Sequence, residues 1–244
     1  MKLKTSLLII LIAFLGACNQ YHEPDAHNQM VPRIYPDYSG VTFPVNIAPP
    51  NFIIQEEGDR YQVEIGLGSS VAMVLSGSKP EVIIPEKRWS DLLEKAAGHE
   101  VFFRVSIQKD GTWTRYTDIE NTISAAPIDS YLAYRLLYPG YELWNEMGVY
   151  QRDLTSYKET AIAANREFGN QCVNCHSFAQ NSPETMMMHV RGKQGGTLIY
   201  RNNEVVKVNP QPEGFSNGAT YPAWHPGGRY IAYSMNDVQQ FFHA

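Results

Sequence analysis

The chain is poor in cysteine and in clustered charge. It contains three cysteines among 244 residues, and its 20 basic and 25 acidic side chains give a formal net charge of −5. No stretch concentrates lysine or arginine, so a phosphate-binding surface has no support and we expect no nucleic-acid partner. Apolar residues make up 43% of the chain and charged residues 18%, a balance typical of globular rather than disordered proteins.

The N-terminus has no apolar run long enough to span a membrane. The apolar stretch at residues 7–15 is well short of the ~20 residues that a transmembrane helix needs. It follows Lys2 and Lys4, and a basic start before a short apolar stretch is typical of a secretory signal. The sequence therefore predicts an exported protein whose residues 1–17 are a signal peptide.

The signal ends in LGAC, residues 15–18, where small residues precede a cysteine. This pattern resembles the lipobox of bacterial lipoproteins, which implies cleavage before Cys18 and acylation of that cysteine. An ordinary signal peptide that happens to contain a cysteine is the alternative. Asn19 stands where lipoproteins kept at the inner membrane often carry Asp, so the resemblance implies an outer-membrane anchor, on the periplasmic or surface face. Membrane lipid is then a partner through acylated Cys18.

The next two regions differ in composition. Residues 18–40 are polar and rich in Pro, Asp and Asn, which predicts a tether. Residues 41–122 contain short alternating runs with turn signals, of which the hairpin over residues 101–116 is the clearest. One helix interrupts them, with Ser90 as its N-cap and Gly98 as its stop. This spacing of strands predicts an immunoglobulin- or fibronectin-like β-sandwich.

Residues 123–192 are predicted to form a central helical, cytochrome c-like segment that binds haem. Three tyrosines recur at helical spacing before a Pro-Gly break: Tyr131, Tyr134 and Tyr138. A second helix is predicted over residues 155–169, with Ser156 and Glu159 as a capping box. This helix would lead the chain into a cysteine cluster.

Residues 193–244 are again predicted to be β-strands. The segment from Trp224 to Ser234 contains Trp-His-Pro, a Gly-Gly pair and IAYS. It resembles the repeat of TolB-like and WD40-like β-propellers, in which His225 would be a turn residue. A propeller needs about four to eight blades, and only one repeat is present. The sequence favours a partial, truncated propeller in a chain that is the front part of a longer protein. The alternative is that the last segment packs on the earlier domains.

The cysteine cluster reads Cys172-Val-Asn-Cys175-His176. CxxCH is the haem-attachment motif of c-type cytochromes. Two thiols three positions apart on one helical turn can reach the two vinyl groups of a porphyrin, and His176 can then ligate the iron. Since Cys18 is assigned to lipid, this local pair accounts for the remaining cysteines. We predict one covalent haem c held by Cys172, Cys175 and His176.

Two other uses of the cluster stay open. A zinc site needs four ligands, and Cys172, Cys175 and His189 supply only three. The positions for a second distal histidine hold other residues: Lys193, Gln194 and Gly195. A thioredoxin-like redox pair would open a helix directly after a strand, and no strand is predicted there.

Candidates for the sixth iron ligand follow ten to thirteen residues after His176: Met186, Met187, Met188 and His189. Ten extended residues span ~33 Å, enough to pass around a haem edge. The alternative is that the methionines fill a core. Arg191 is a candidate partner of a haem propionate.

The chain as a whole resembles exported lipoproteins in which one c-type haem segment precedes a TolB-like propeller. The likeness rests on residues 15–18, 172–176 and 220–235, and does not cover residues 41–165. It implies an electron-transfer cytochrome that docks a redox partner protein, which favours an electron carrier over an enzyme and leaves the enzyme open. The first rival is an outer-membrane scaffold or binding lipoprotein in which haem is structural or absent. The second is a haem enzyme with an open sixth position, such as a peroxidase.

Overall fold

The computed structural model of the protein describes residues 21–193, 195–214 and 219–235. Cys18 and the predicted signal peptide lie outside these ranges. The chain divides into two compact units: the first is Met1–Ser130 with Leu154–Tyr157, and the second is Tyr131–Asp153 with Lys158–Ala244. No helix in the described part of the chain is long and apolar enough to cross a membrane.

The described residues of the first unit form a seven-stranded sheet, a three-stranded sheet and one α-helix. The large sheet contains β1 (Ala26–His27), β3 (Thr42–Pro44), β5 (Arg60–Leu67), β6 (Ser70–Gly77), β8 (Glu100–Lys109), β9 (Thr112–Arg115) and β10 (Ile119–Ser124). The small sheet contains β2 (Ile34–Tyr35), β4 (Phe52–Ile54) and β7 (Glu81–Val82). The helix, α1, is Glu86–Ala96.

Strand β8 is the centre of the large sheet. Antiparallel β5 pairs along one edge, while β9 and β10 share the other edge, both antiparallel. Four alternating β8 side chains are buried: Val101, Phe103, Val105 and Ile107. Asp110 and Gly111 join β8 to β9, and both have positive φ (50° and 82°), as a tight two-residue hairpin turn requires. The predicted hairpin is therefore confirmed.

The buried face of β8 packs against α1 and the small sheet. Phe103 is fully buried, and its ring lies 5.9 Å from that of Phe52 and 6.1 Å from that of Trp89, centroid to centroid. The predicted helix exists, but it begins at Glu86; Ser90 lies inside it and donates to the Lys87 carbonyl at 3.0 Å. A helix and a three-stranded sheet thus cover the large sheet, where a two-sheet immunoglobulin- or fibronectin-like sandwich was predicted.

The described residues of the predicted tether belong largely to the fold. Strand β1 runs parallel to β9, with Ala26 opposite Thr114. The backbone N–H of Asp25 donates to the Trp113 carbonyl at 2.8 Å, and the Trp113 N–H donates to the Asp25 carboxylate at 2.8 Å. The His22 ring stacks on the Trp113 indole at 5.0 Å. The sheet therefore holds the chain from His22 onward.

The described residues of the second unit are β-strands joined by turns and short 3₁₀ segments. A three-stranded sheet contains β11 (Tyr131–Leu136), β12 (Gly148–Asp153) and β13 (Glu159–Ala164). A four-stranded sheet follows in chain order with β14 (Val173–Phe178), β15 (Thr185–Val190), β16 (Gly196–Arg201) and β17 (Glu204–Val208). A two-stranded sheet contains β18 (Thr220–Trp224) and β19 (Ile231–Ser234).

The predicted central helical, cytochrome c-like region is therefore wrong, and the class is mainly β. Two of the three tyrosines that suggested a helix, Tyr131 and Tyr134, lie in β11, which pairs antiparallel with β12 over its whole length. Tyr138 follows this strand and precedes a 3₁₀ turn. The segment predicted as the second helix contains β13 and only one 3₁₀ turn, Asn165–Phe168. A run of six residues is too short to separate the helical periodicity from the strand periodicity. Pairing with neighbouring strands then overrides a weak helix propensity.

One core serves both larger sheets of the second unit. Val149 and Ala163 of the three-stranded sheet pack with four residues of β14 and β15: Val173, Met186, Met188 and Val190. The first two strands of the region predicted to be a partial propeller, β16 and β17, complete the sheet that β14 and β15 begin. The propeller-like repeat itself lies in the β18–β19 pair.

Candidate functional site

The CxxCH cluster lies on a bulged strand. Cys172 directly precedes β14, and Cys175 and His176 lie within it. Asn174 pairs with His189 and Ser177 pairs with Met187, so two residues of β14, Cys175 and His176, face one residue of β15. Cys175 has a φ of 53°, in the left-handed region. Such β-bulges redirect side chains and are common beside functional sites.

The three donor groups are accessible. Cys172 and Cys175 are both free thiols and both half-buried. His176 is also half-buried, and its ring meets the Phe178 ring edge-on at 6.4 Å. A strand backbone therefore holds two thiols and an imidazole that a ligand can reach from solvent.

Asn165 fixes the start of this strand. Its side chain is fully buried; Oδ1 accepts from the Val173 backbone N–H at 2.9 Å, and Nδ2 donates to the Trp144 carbonyl at 3.0 Å. Its own backbone N–H donates to the Met147 carbonyl at 2.8 Å. Asn165 was not predicted, because nothing in the local pattern shows that an asparagine before a turn reaches the strand eight residues later.

Two arginines lie at Cys172. Arg135 on β11 places Nη2 3.2 Å from the Cys172 sulfur, and the backbone N–H of Arg191 donates to the Cys172 carbonyl at 2.9 Å. Within the described ranges, the Nε of each arginine is buried without a hydrogen-bond partner. The Arg135 guanidinium thus places positive charge at the Cys172 sulfur, whereas Arg191 meets Cys172 through its backbone.

The methionine run occupies the strand beside the cluster. Met186 and Met188 belong to the core of the second unit, and Met187 is fully buried. His189 is buried too, with Nδ1 3.3 Å from the Thr197 hydroxyl.

The predicted sixth-ligand candidates lie on the strand beside His176. Met186, Met187, Met188 and His189 are on β15, which is hydrogen-bonded to β14 about 4.8 Å away in the same sheet, and all four side chains are buried. Their role as iron ligands stays a prediction.

Burial lowers the pKa of His189, and the positive charge of Arg191 lowers it further. Because the folded state disfavours the proton, the unfolded state takes it up first as the pH falls below the ordinary value of 6.5. We expect the free energy of unfolding of the haem-free protein to decrease from pH 7.5 to pH 5.5, measured by denaturant titration. The H189Q variant removes the titration but keeps a group that can bond Thr197, so it should show a flatter pH dependence. Equal slopes for the two proteins would contradict this prediction.

Among the described residues, no three His, Cys, Asp or Glu side chains form a group that could hold a metal ion. A c-type haem would need two thiols and one imidazole from this segment, and these are the groups present. The motif was predicted on a helical turn, and the structure places it on a strand. The bulge at Cys175 and His176 interrupts the alternation of side chains between the two faces of that strand.

Comparison with protein-family models, curated proteins and solved structures finds no match to this chain. The function of the protein is therefore inferred from the chemistry of the cluster and of its surroundings.

Proposed function

We propose that the protein is a membrane-anchored c-type cytochrome that carries one covalent haem for electron transfer. The observation that carries the proposal is a pair of free, half-buried thiols followed directly by a half-buried imidazole. Each thiol would add across the C=C bond of a haem vinyl group, so that sulfur bonds one carbon and the proton goes to the other. His176 would supply the proximal nitrogen ligand. The bound haem would provide a one-electron Fe(III)/Fe(II) couple.

The neighbouring residues support this assignment. Arg135 places positive charge at the Cys172 sulfur and Arg191 contacts Cys172 through its backbone, so both are candidate partners of the haem propionates. Asn165 anchors the backbone next to Cys172, which limits the movement of that thiol.

We also propose that the protein is located at the outer membrane. Cleavage before Cys18 and its acylation would place the protein at the outer membrane, where covalent attachment keeps the cofactor from being lost. The partner would be a redox protein. A second use, as an open-site haem enzyme, is favoured by one observation: the residues predicted to fill the sixth position are buried beside β14.

Expression of the full chain with a cytochrome c maturation system tests the proposal. We expect haem staining that survives denaturing electrophoresis, a mass increase of one haem, and a reduced α-band. An α-band unchanged by carbon monoxide supports electron transfer, whereas rapid carbon monoxide binding would favour the open-site enzyme. A chain without covalent haem would rule out both and favour the scaffold or binding lipoprotein.

A further inference from the structure

The propeller-like hairpin β18–β19 is hydrogen-bonded to the residues that follow the CxxCH motif. Trp224, the last residue of β18, donates from its indole Nε1 to the Ser177 carbonyl at 3.3 Å. Gln180 Nε2 donates to the Pro226 carbonyl, in the turn between β18 and β19, at 2.6 Å. The hairpin therefore contacts both β14 and the 3₁₀ turn that follows it.

A third bond ties the same turn to β16. Arg201, the last residue of β16, donates from Nη2 to the Gly228 carbonyl at 2.5 Å. Inside the turn, the Gly227 N–H donates to His225 Nδ1 at 3.0 Å, and the Gly228 N–H donates to the His225 carbonyl at 2.8 Å. The turn is thus closed by its own bonds and fixed to the four-stranded sheet, which gives the Trp224 indole a defined position.

The bulge leaves the middle of the motif without strand pairing. Regular pairing with β15 stops at Asn174 and resumes at Ser177. Among the described strands, β15 is the only one that pairs with β14. The backbone of Cys175 and His176 is therefore placed by the residues on either side. Ser177 directly follows His176, so a shift of Ser177 moves the histidine as well, because consecutive Cα atoms keep a fixed distance of about 3.8 Å.

The motif is held on both sides by side chains from other parts of the second unit. Asn165 bonds the Val173 N–H before the motif, and Trp224 bonds the Ser177 carbonyl after it. Of these two contacts, only the second is next to the imidazole of His176. Ligands of a metal site depend on such supporting contacts for their orientation, and loss of one weakens the site.

We propose that Trp224 positions His176 as the axial ligand of the haem, so that the propeller-like hairpin is part of the cofactor site. This inference rests on the proposed function. Trp224 acts through the Ser177 carbonyl and is a positioning residue. Loss of the indole donor would leave both thioether bonds, at Cys172 and Cys175, but would release the strand after His176. The imidazole would then meet the iron in more than one orientation.

Two tryptophan variants of the full chain, expressed with the maturation system, test this inference. Trp224→Phe removes the indole donor and keeps an aromatic ring. Trp144→Phe is the matched control, because Trp144 Nε1 donates to the Asn170 carbonyl at 2.7 Å, two residues before Cys172 instead of after His176. The electron paramagnetic resonance spectrum of the ferric haem reports how the axial imidazole is oriented. We expect both variants to carry one covalent haem, and only Trp224→Phe to show a second, shifted set of g values and a changed reduction potential.

The outcomes separate the inference from the proposed function. A parent chain without covalent haem would rule out the function, and the inference with it. Haem-loaded Trp224→Phe with a parent-like spectrum, or equal shifts in the two tryptophan variants, would overturn the inference alone. If Trp224→Phe does not fold, Gln180→Glu serves instead, because Gln180 is exposed and a carboxylate there repels the Pro226 carbonyl. A second set of g values in Gln180→Glu supports the role of the hairpin, and a parent-like spectrum contradicts it.

Discussion

A chain with serine at both Cys172 and Cys175 should contain no covalent haem after expression with the maturation system. Each single serine variant should retain one thioether, with a lower yield and an α-band shifted to longer wavelength, because one vinyl group stays conjugated with the ring. The H176A variant should keep both thioethers but lose the proximal ligand, which changes the ligand-binding spectrum rather than the mass. Haem staining, intact mass and the reduced spectrum distinguish these cases.

Serine is a fair control for structure at these positions. Both cysteines are half-buried and neither forms a disulfide, so loss of the sulfur removes no cross-link. A serine hydroxyl at 172 can still accept from Arg135. Circular dichroism of the double variant should therefore match that of the haem-free parent. Haem retained by the double variant, or an H176A spectrum identical to the parent's, would contradict the proposed site.

The N165A variant should lower the free energy of unfolding of the second unit by about 2–4 kcal/mol. The substitution leaves the Val173 N–H buried without a partner, at a typical cost of about 1–3 kcal/mol, and removes a second hydrogen bond to Trp144. Denaturant unfolding of haem-free protein, followed by tryptophan fluorescence, measures the change. Each unit contains two tryptophans, so fluorescence reports the unfolding of both. Only the midpoint of the second unit's transition should shift to lower denaturant concentration.

A matched control is N145A. Asn145 is exposed and lies one residue after Trp144, so its loss should change the free energy by about 0.5 kcal/mol or less. N165A should also lower the yield of covalent haem, because the start of β14 would no longer be fixed beside Cys172. Equal effects of the two variants on stability would show that Asn165 does not hold the strand.

The parts of the fold that the sequence predicted have strong local signals. The β8–β9 hairpin combines strict alternation from Val101 to Ile107 with an Asp-Gly turn, and each signal alone favours the same structure. The existence of α1 was predicted for a similar reason, although its start was misplaced by several residues. Local patterns suffice where propensity, periodicity and turn residues agree.

In the second unit, propensity, periodicity and turn residues do not agree on one structure. Its strands β11 and β13 are six residues long, and the alanines of β13 favour a helix in isolation. Only pairing with β12, which no local pattern reveals, makes them strands. The register between β14 and β15 is equally non-local. The CxxCH pattern of Cys172, Cys175 and His176 is therefore visible in the sequence, while the bulged strand that carries it and the position of the methionines beside it are not.

The pairing of β1 with β9 has a consequence for the order of folding. The hydrogen bond between Asp25 and Trp113 joins residues 88 positions apart. A chain is made N-terminus first, and long-range contacts form late. Strand β1 pairs only with β9 in the described part of the chain, so it cannot join the sheet before the β8–β9 hairpin exists. The segment from His22 to His27 is thus made early and fixed late, which makes it the closing strand of the first unit's sheet.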